Sequence, residues 1–238
     1  MRAPHLTVLL ALGGCADFSV FGQALDFAAR GDLGRAALLS DDFESGTIDP
    51  ARWTLERTPP DGTLEVQPMG SGNLALHVLA PADVNDTTVS IANRTVLAGR
   101  QAGFYLRFRL RLSAAPVYAF VRLRRSSPLL ILLLANDPGG GYSVSSGDAV
   151  LGFHPFGMAK PDEWSCFEWA VLVPAAGTDR KSEITIDGMV VQTDLVPSTD
   201  VAVPDEIELG LNRCCGQVAG AEAWIDDVVI DSAPIGCP

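Results

Sequence analysis

The sequence contains little lysine, little histidine and no long hydrophobic run. Lysine occurs only at Lys160 and Lys181, and 29 acidic residues outnumber 17 basic ones, which gives a formal net charge of −12. This balance argues against nucleic acid, or an anionic membrane surface, as a partner of the whole surface. The three histidines have no ligand spacing to the cysteines, which argues against a zinc site. A chain of 238 residues that is 47% apolar can nevertheless bury a sizeable core.

The N-terminus carries a short basic start, an apolar stretch at 6–12 and two glycines before Cys15. The apolar stretch is too short to span a bilayer. The quartet LGGC at 12–15 resembles the lipobox of bacterial lipoproteins, in which the cysteine is lipidated and becomes the mature N-terminus. The resemblance implies a signal peptide over 1–15 and a lipid anchor in the bacterial cell envelope, and Ala16 favours the outer membrane. An ordinary secretory signal with a chance cysteine is the alternative.

The other cysteines indicate disulfides. An even number of cysteines in an exported domain predicts two bridges among Cys166, Cys214, Cys215 and Cys237. Three connectivities are open, one of which joins Cys166 to Cys237 and leaves a vicinal Cys214–Cys215 pair. Spacing does not decide between them.

The chain after the signal divides into a tether and one domain. Residues 16–37 show no clear period and are interpreted as the tether. From residue 38 to 238, short runs rich in β-branched and aromatic residues recur between Gly, Pro, Asn and Asp, and no amphipathic helix of useful length occurs. This pattern predicts an all-β sandwich or barrel, with strands near 64–67, 74–79, 87–92, 103–112, 117–124, 129–135, 141–146, 164–173, 182–187, 189–195, 205–211 and 222–231.

Arginine is concentrated in the segment FYLRFRLRLSAAPVYAFVRLRR at 104–125. Alternation places an apolar set on one face of each strand and an arginine-bearing set on the other. On the first strand, Tyr105, Arg107, Arg109 and Arg111 share the face opposite the apolar residues. On the second strand, Val117, Ala119, Val121 and Leu123 form the apolar face, and Tyr118, Phe120, Arg122 and Arg124 form the other. A short hairpin through SAAP would place Arg107 across from Arg122 and Arg109 across from Phe120.

Arg107 opposite Arg122 would set like charges across a strand pair, which is destabilising without an anion. Two sources of that anion are open. A neighbouring carboxylate such as Glu183, Asp187 or Glu168 is one. The other is an external uronate or sulfate of a glycan, because the guanidinium fork binds carboxylates in bidentate fashion and the tyrosines on the same face could stack on sugar rings.

The ends of the domain carry a resemblance. It opens with DDFESGTIDPARWT (41–54) and closes with AEAWIDDVVIDSAPIGC (221–237), with WSCFEWAVLV and ITIDGMVVQT between them. This order is similar to the concanavalin A-like lectin/glucanase superfamily in its laminin-G-like form, over about 38–237. The resemblance implies a jelly roll of two curved antiparallel sheets whose first and last strands lie side by side. It also implies that ligands bind on the concave sheet or in the loops at its rim.

Two kinds of enzyme share this fold. Its glycoside hydrolases carry an E-x-D-x-x-E strand motif. Glu206 and Glu208 share a strand face, but the central aspartate and the third carboxylate are missing, which argues against a glycosidase. A polysaccharide lyase needs a cation and a Tyr or His for proton transfer. These residue types are present, including Tyr142 and His154, but the characteristic strings of lyases are not.

The resemblance also implies one structural Ca²⁺ where the first and last strands meet. Asp226 and Asp227, with Asp42 or Glu44, supply the hard oxygen ligands that calcium prefers. A solvated terminal strand without a metal is the alternative, because adjacent residues of a strand point to opposite faces.

Together these features predict a cell-envelope lipoprotein with a non-catalytic jelly-roll domain that binds carbohydrate, with acidic glycans as one option, or has a structural role. The aromatic content of 7% is low for a dedicated lectin. A divergent polysaccharide lyase and a protein-binding adhesion module are the alternatives. The membrane is reached only through the lipid. The predicted ligand residues are Arg107, Arg109, Arg122, Arg124, Tyr105, Tyr118 and His154.

Overall fold

A computed structural model describes residues 36–70, 72–82, 86–100, 103–113, 118–126, 129–136, 142–146, 154–156, 160–172, 179–197, 203–213 and 219–237. The predicted signal peptide with Cys15, most of the tether, Val117 and the Cys214–Cys215 pair lie outside these residues. The described residues contain strands and turns but no helix. Within the same ranges, therefore, no helix is long and apolar enough to cross a membrane.

The strands are short to medium in length and follow the alternating or continuous apolar patterns of the sequence. In chain order they are β1 Leu39–Asp41, β2 Thr54–Thr58, β3 Thr63–Pro68, β4 Leu74–Ala80, β5 Thr87–Asn93, β6 Phe104–Leu112, β7 Ala119–Ser126, β8 Leu129–Asn136, β9 Tyr142–Ser146, β10 His154–Phe156, β11 Ser165–Leu172, β12 Asp179–Ile186, β13 Met189–Pro197, β14 Glu206–Arg213 and β15 Ala221–Asp231.

The strands form two antiparallel sheets. The eight-stranded sheet has the order β13-β12-β11-β6-β15-β4-β3, with β1 also paired to β15, and the seven-stranded sheet has the order β10-β9-β8-β7-β14-β5-β2. Leu39 of β1 lies opposite Ile230 of β15, so the first and last strands are neighbours. This arrangement confirms the all-β sandwich and the pairing of terminal strands that the resemblance implied.

The hydrophobic core fills the space between the sheets. On β6 every second residue is buried, and the rings of Phe108 and Phe167 stack with centroids 5.2 Å apart. Trp169, on the neighbouring strand β11, is fully buried. Burial of each such side chain contributes about 1.5–3 kcal/mol. The core therefore fixes which face of each strand points outward.

Strands β6 and β7 do not pair, so the predicted hairpin is wrong. Strand β6 lies between β11 and β15, while β7 lies between β14 and β8 in the other sheet. Consecutive strands of a sandwich can cross from one sheet to the other, and each apolar face still reaches the common core. Arg107 is therefore not across from Arg122, and Arg109 is not across from Phe120.

The face prediction for the start of the second strand is also wrong. The register between β7 and β8 shifts between Ala119 and Val121, which leaves Phe120 as an extra residue. Such a bulge reverses the alternation on one side of it. Phe120 therefore points into the core, 5.6 Å from the ring of Phe167, and Tyr118 is only 2% exposed.

Candidate functional site

The arginines of the 104–125 segment are divided between the two sheets. Arg107, Arg109 and Arg111 lie on β6 of the eight-stranded sheet, and Arg122 and Arg124 lie on β7 of the seven-stranded sheet. These five of the segment's six arginines are partly exposed and alternate with buried apolar residues. They therefore line the two outer faces, on opposite sides of the sandwich, and cannot form one binding surface.

Arg122 and Arg124 of β7 have acidic partners on the adjacent strand β14. Glu208 lies opposite Arg122 and Glu206 opposite Arg124 in the register. Arg122 forms an ion pair with Glu208. The Arg124 Nη1 donates to Glu208 Oε1 at 3.2 Å and lies 3.7 Å from Glu206 Oε1. The internal source of anions is therefore confirmed for these arginines, but with partners other than those predicted.

The ion pairs continue across the face. Arg94, after β5, donates to Glu56 Oε1 at 2.6 Å and to Glu206 Oε1 at 3.2 Å. We call this series the ion-pair chain. It consists of Glu56, Arg94, Glu206, Arg124, Glu208 and Arg122. Three arginines balance three glutamates, so the chain carries no net formal charge. Side-chain exposure within the ion-pair chain ranges from 45% for Arg94 to 1% for Glu208.

Glu208 is the most deeply buried charged group of the chain. Burial raises the pKa of its carboxyl above the usual range, while the charge of Arg122 opposes that rise. The hydrogen bond to Glu56 is the main cause of the raised pKa of Arg94, although burial opposes it. The Glu208 carboxylate is held by two guanidinium groups, Arg122 and Arg124. The sequence argument against a glycosidase at Glu206 and Glu208 stays a prediction.

The β6 arginines have their own partners on the eight-stranded sheet. Arg109 lies 3.6 Å from Asp227, and its guanidinium is 5.2 Å from the centre of the Trp164 ring. Arg111 lies 3.3 Å from Asp162. The Arg111 guanidinium also covers the ring of Trp224, at 4.8 Å, while His77 packs on that ring at 5.4 Å. Trp224 is thus flanked by Arg111 and His77 and remains partly exposed.

Arg107 lies next to the C-terminal segment. Glu168, opposite Arg107 in the register, accepts hydrogen bonds from the backbone N–H groups of Ile235 and Gly236 at 2.7 and 2.6 Å. Arg107 donates to the Gly236 carbonyl at 3.5 Å. The disulfide between Cys166 and Cys237 fastens the same segment to β11. It confirms one half of one predicted connectivity, and the protein itself occupies this part of the predicted arginine surface.

The predicted aromatic ligand residues are not brought together. Tyr105 is partly exposed beside Arg107, and burial, then Glu168 and Glu183, raise its pKa. Tyr118 is buried and so is not on the outer face with Arg122. Tyr142 is also buried, which raises its pKa to about 12. His154 begins β10, at the edge of the seven-stranded sheet with β8 and β9 between it and β7.

The predicted calcium ligands lie near the β1–β15 junction. Asp226 is 7% exposed, and burial, then the charges of Asp227 and Glu44, raise its pKa to about 6, against a hydrogen bond from the Asp227 N–H. Asp227 pairs with Arg109, and Glu44 accepts from the Leu74 N–H at 2.9 Å. In the described part of the chain, no group of three or more His, Cys, Asp or Glu side chains could hold a metal ion, and this includes the groups around Asp42. Side chains alone thus do not form the site, and calcium stays a prediction.

Sequence reasoning missed the partners of the β7 arginines. Glu206 and Glu208 were correctly placed on one strand face, but only their match to a catalytic motif was considered. The charges on alternate residues of both strands were the available signal, because opposite charges on adjacent strands stabilise a sheet. Arg94 and Glu56 carry no such pattern, and their place in the ion-pair chain depends on the packing of β2 and β5.

Comparison with protein-family models and with curated protein sequences finds no match. Comparison with solved structures finds many. One is the cellulose-induced protein Cip1, with a TM-score of 0.63 and 18% identity over 84% of this chain and 100% of that one. A carbohydrate esterase of the Shiga toxin-encoding bacteriophage phi24B aligns with a TM-score of 0.57 and 15% identity over 82% and 97%. The catalytic domain of a glycoside hydrolase family 131 protein from Coprinopsis cinerea aligns with 0.54 and 13% over 85% and 97%.

These similarities establish the fold. Each solved structure is aligned over nearly its whole length, and the sequence identities are too low to carry residue roles. The predicted concanavalin A-like jelly roll is confirmed as the fold of the chain.

Proposed function

We propose that the protein is a non-catalytic carbohydrate-binding jelly-roll domain of a lipid-anchored protein of the bacterial cell envelope, and that it binds glycan on the outer face of the seven-stranded sheet. The observation that carries the proposal is the cluster of Glu208 with Arg122 and Arg124 in the middle of that face. Arg122 and Arg124, which are partly exposed and fixed by Glu208, are oriented donors for sugar hydroxyl groups.

The structural neighbours support a carbohydrate ligand. This fold is shared, at low sequence identity, by a carbohydrate esterase, a glycoside hydrolase domain and a cellulose-induced protein. One fold hosts many functions, so these names support the ligand class and no particular reaction. The eight-stranded sheet is the weaker alternative, because the C-terminal segment covers part of it and Arg111 and His77 flank Trp224.

Binding without turnover fits the geometry better than catalysis. A retaining glycosidase needs two carboxyl groups beside the scissile bond. Here Glu208 is almost fully buried and Arg124 contacts both Glu206 and Glu208. A lyase needs a phenol or imidazole within reach of the sugar, but Tyr118 and Tyr142 are buried in the core.

The pairing of the arginines bears on whether the protein binds an acidic or a neutral glycan. They are paired internally, so an acidic glycan has to compete with Glu206 and Glu208 for Arg124 and Arg122. Arg94 and Arg124, 45% and 39% exposed, remain the donors that an acidic glycan reaches first. Acidic glycans are therefore the alternative ligand class. Added salt screens exposed charges, so it should weaken the binding of an acidic glycan more than that of a neutral one.

The anchor is proposed from the LGGC quartet alone. Lipidation at Cys15 is tested by labelling cells with a radioactive fatty acid and comparing the protein with its Cys15→Ser variant. Label in the parent protein and none in the variant supports the anchor. Label in neither, with normal secretion, supports an ordinary signal peptide.

The binding proposal is tested by affinity electrophoresis of the full chain in gels that contain cellulose ether, xylan, laminarin or polygalacturonate, each at low and high salt. Retardation in at least one gel is expected, with no reducing sugar and no ultraviolet-absorbing unsaturated product released. Migration unchanged in every gel would contradict the proposal and favour an adhesion or structural module. Product release would replace it with an enzyme.

A further inference from the structure

In the part of the chain that the structure describes, five of the eleven buried polar side-chain atoms without a partner lie on one part of the seven-stranded sheet. Among the described residues, the amide nitrogen and oxygen of Asn212, the hydroxyl of Ser90 and the Nε of Arg122 are buried and have no hydrogen-bond partner. Asn212 is 4% exposed and Ser90 is fully buried. The Glu208 Oε2, beside Arg122, likewise accepts no hydrogen bond of good geometry from the described residues.

These atoms belong to a single face. On β14, Leu209 and Leu211 point into the core, so Glu208 and Asn212 point outward. On β5, Val89 and Ile91 are core residues on either side of Ser90. The unpartnered groups therefore share the outer face of the seven-stranded sheet with the ion-pair chain.

The register brings the groups close together. Ser90 lies opposite Gly210, which is two residues from both Asn212 and Glu208. Glu208 in turn lies opposite Arg122. Neighbouring strands are about 4.8 Å apart and residues two apart on one strand are separated by about 6.8 Å. One small molecule can therefore reach Ser90 together with Asn212, whereas Asn212 and Glu208 are about 13.6 Å apart along β14.

The residues between the polar groups are small. Gly210 has no side chain, Ala92 lies opposite Glu208, and Ala119 lies opposite Asn212. No large side chain therefore stands between Asn212 and the Arg122–Glu208 ion pair at these register positions. We call this area, formed by Ser90, Gly210 and Asn212, the Asn212 patch.

Unpartnered buried polar groups are costly. Each costs about 1–3 kcal/mol when its partner is missing, and native proteins contain only a few. Ordered water or a ligand normally supplies the partners. Several such groups on three adjacent strands therefore indicate a place where polar groups from outside the chain bind.

The kinds of atom identify the ligand class. The Asn212 amide both donates and accepts, the Ser90 hydroxyl does the same, and Glu208 Oε2 only accepts when ionised. The unpartnered Nε of Arg122 would attract an anion, but the carbonyl oxygen of Asn212 and the carboxylate of Glu208 would repel it. A molecule with adjacent hydroxyl groups satisfies donors and acceptors together.

We propose that the Asn212 patch is a subsite for a neutral pyranose, in which Asn212 and Ser90 hydrogen-bond to neighbouring hydroxyl groups beside the Arg122–Glu208 ion pair. This inference rests on the proposed carbohydrate-binding function and specifies the sugar class at that surface. It favours neutral over uronate or sulfated glycans.

The inference is tested by isothermal titration of the full chain with cellohexaose, laminarihexaose, xylohexaose and hexagalacturonate. At least one neutral hexaose is expected to bind, and Asn212→Ala and Ser90→Ala are each expected to weaken it roughly tenfold, the loss of about one hydrogen bond. Asn73→Ala, an exposed asparagine in a turn beside β4 of the other sheet, is the matched control with unchanged affinity. Ser90→Ala also removes a buried hydroxyl without a partner, so the unliganded variant is expected to melt no lower than the parent.

The outcomes separate the two proposals. Arg122→Ala weakens binding if the outer face of the seven-stranded sheet binds glycan at all. If Arg122→Ala weakens binding while Ser90→Ala and Asn212→Ala bind like the parent, ordered water fills the patch and only the subsite is overturned. Binding of hexagalacturonate alone also overturns the subsite. If no hexaose or polysaccharide binds the parent protein, both proposals fail.

Discussion

Arg122 and Glu208 lie opposite each other on β7 and β14 and form an ion pair on the outer face of the seven-stranded sheet. The Glu208 side chain is 1% exposed, whereas Arg122 is 24% exposed and Arg124 contacts the same carboxylate from the solvent side. The carboxylate thus depends on protein donors in place of water. Loss of one arginine should therefore affect stability more than the loss of an exposed ion pair.

Arg122→Ala should lower the free energy of unfolding by about 2 kcal/mol, because it removes a close partner of a buried carboxylate. Arg94→Ala is the matched control at the exposed end of the ion-pair chain and should cost less than about 1 kcal/mol. Urea denaturation of the two variants at pH 7 measures the difference. Equal losses would show that Glu208 does not depend on Arg122.

Phe120→Ala should destabilise the protein by about 3–5 kcal/mol, the usual loss for a buried phenylalanine. The bulge in β7 places this ring against Phe108 and Phe167 in the core. Unbroken alternation would instead place Phe120 on the surface, where truncation has little effect. A thermal melt that is unchanged in Phe120→Ala would contradict the bulge.

The Cys166–Cys237 disulfide joins residues 71 apart in the sequence. Cys237→Ser should lower the free energy of unfolding by about 4 kcal/mol, because a closed loop of this length restricts the unfolded chain. Chemical denaturation with and without a reductant measures the loss, and the Cys166→Ser Cys237→Ser double variant should lose no more than either single one. Additive losses would indicate that each cysteine contributes separately through its packing.

All three tyrosines should titrate above the usual value near 10. Burial is the main cause of the raised pKa of Tyr105, Tyr118 and Tyr142, and it raises that of Tyr142 to about 12. The folded state thus keeps the Tyr142 proton longer than the unfolded state does. This contribution to stability is complete below pH 10 and is lost as the pH rises towards 12.

Absorbance at the phenolate band during an alkaline titration tests whether Tyr142 ionises last of the three tyrosines. The last phenol to ionise before unfolding should be missing in Tyr142→Phe. That variant should also lose less stability than the parent between pH 10 and 12, by about 2 kcal/mol. Half-ionisation of all three phenols near pH 10 in the folded parent would show that the tyrosines are exposed.

The fold was predictable because most strands carry regular patterns. The alternation of β6 correctly assigns its buried and exposed residues. The resemblance of the domain's two ends to the concanavalin A-like superfamily correctly predicts that β1 and β15 are neighbours. The bulge at Phe120 was not predictable, because a single extra residue leaves no mark in the apolar pattern. The short strands β1, β2 and β10 also lack enough residues to show a period.

The site was less predictable because it depends on which strands are neighbours. Arg107 and Arg122 are close in sequence, but their strands enter different sheets. Glu208 and Arg122 are far apart in sequence, and only the pairing of β7 with β14 brings them together. Period-2 alternation specifies the face of a strand and leaves its partner open.

The central claim is that glycan binds the outer face of the seven-stranded sheet. Hydrogen exchange of the full chain, measured by mass spectrometry with and without a bound neutral oligosaccharide, tests it most directly. Slower exchange is predicted in β5, β7 and β14, with β6 and β15 unchanged. Protection confined to β6 and β15, or no protection at saturating ligand, would contradict it.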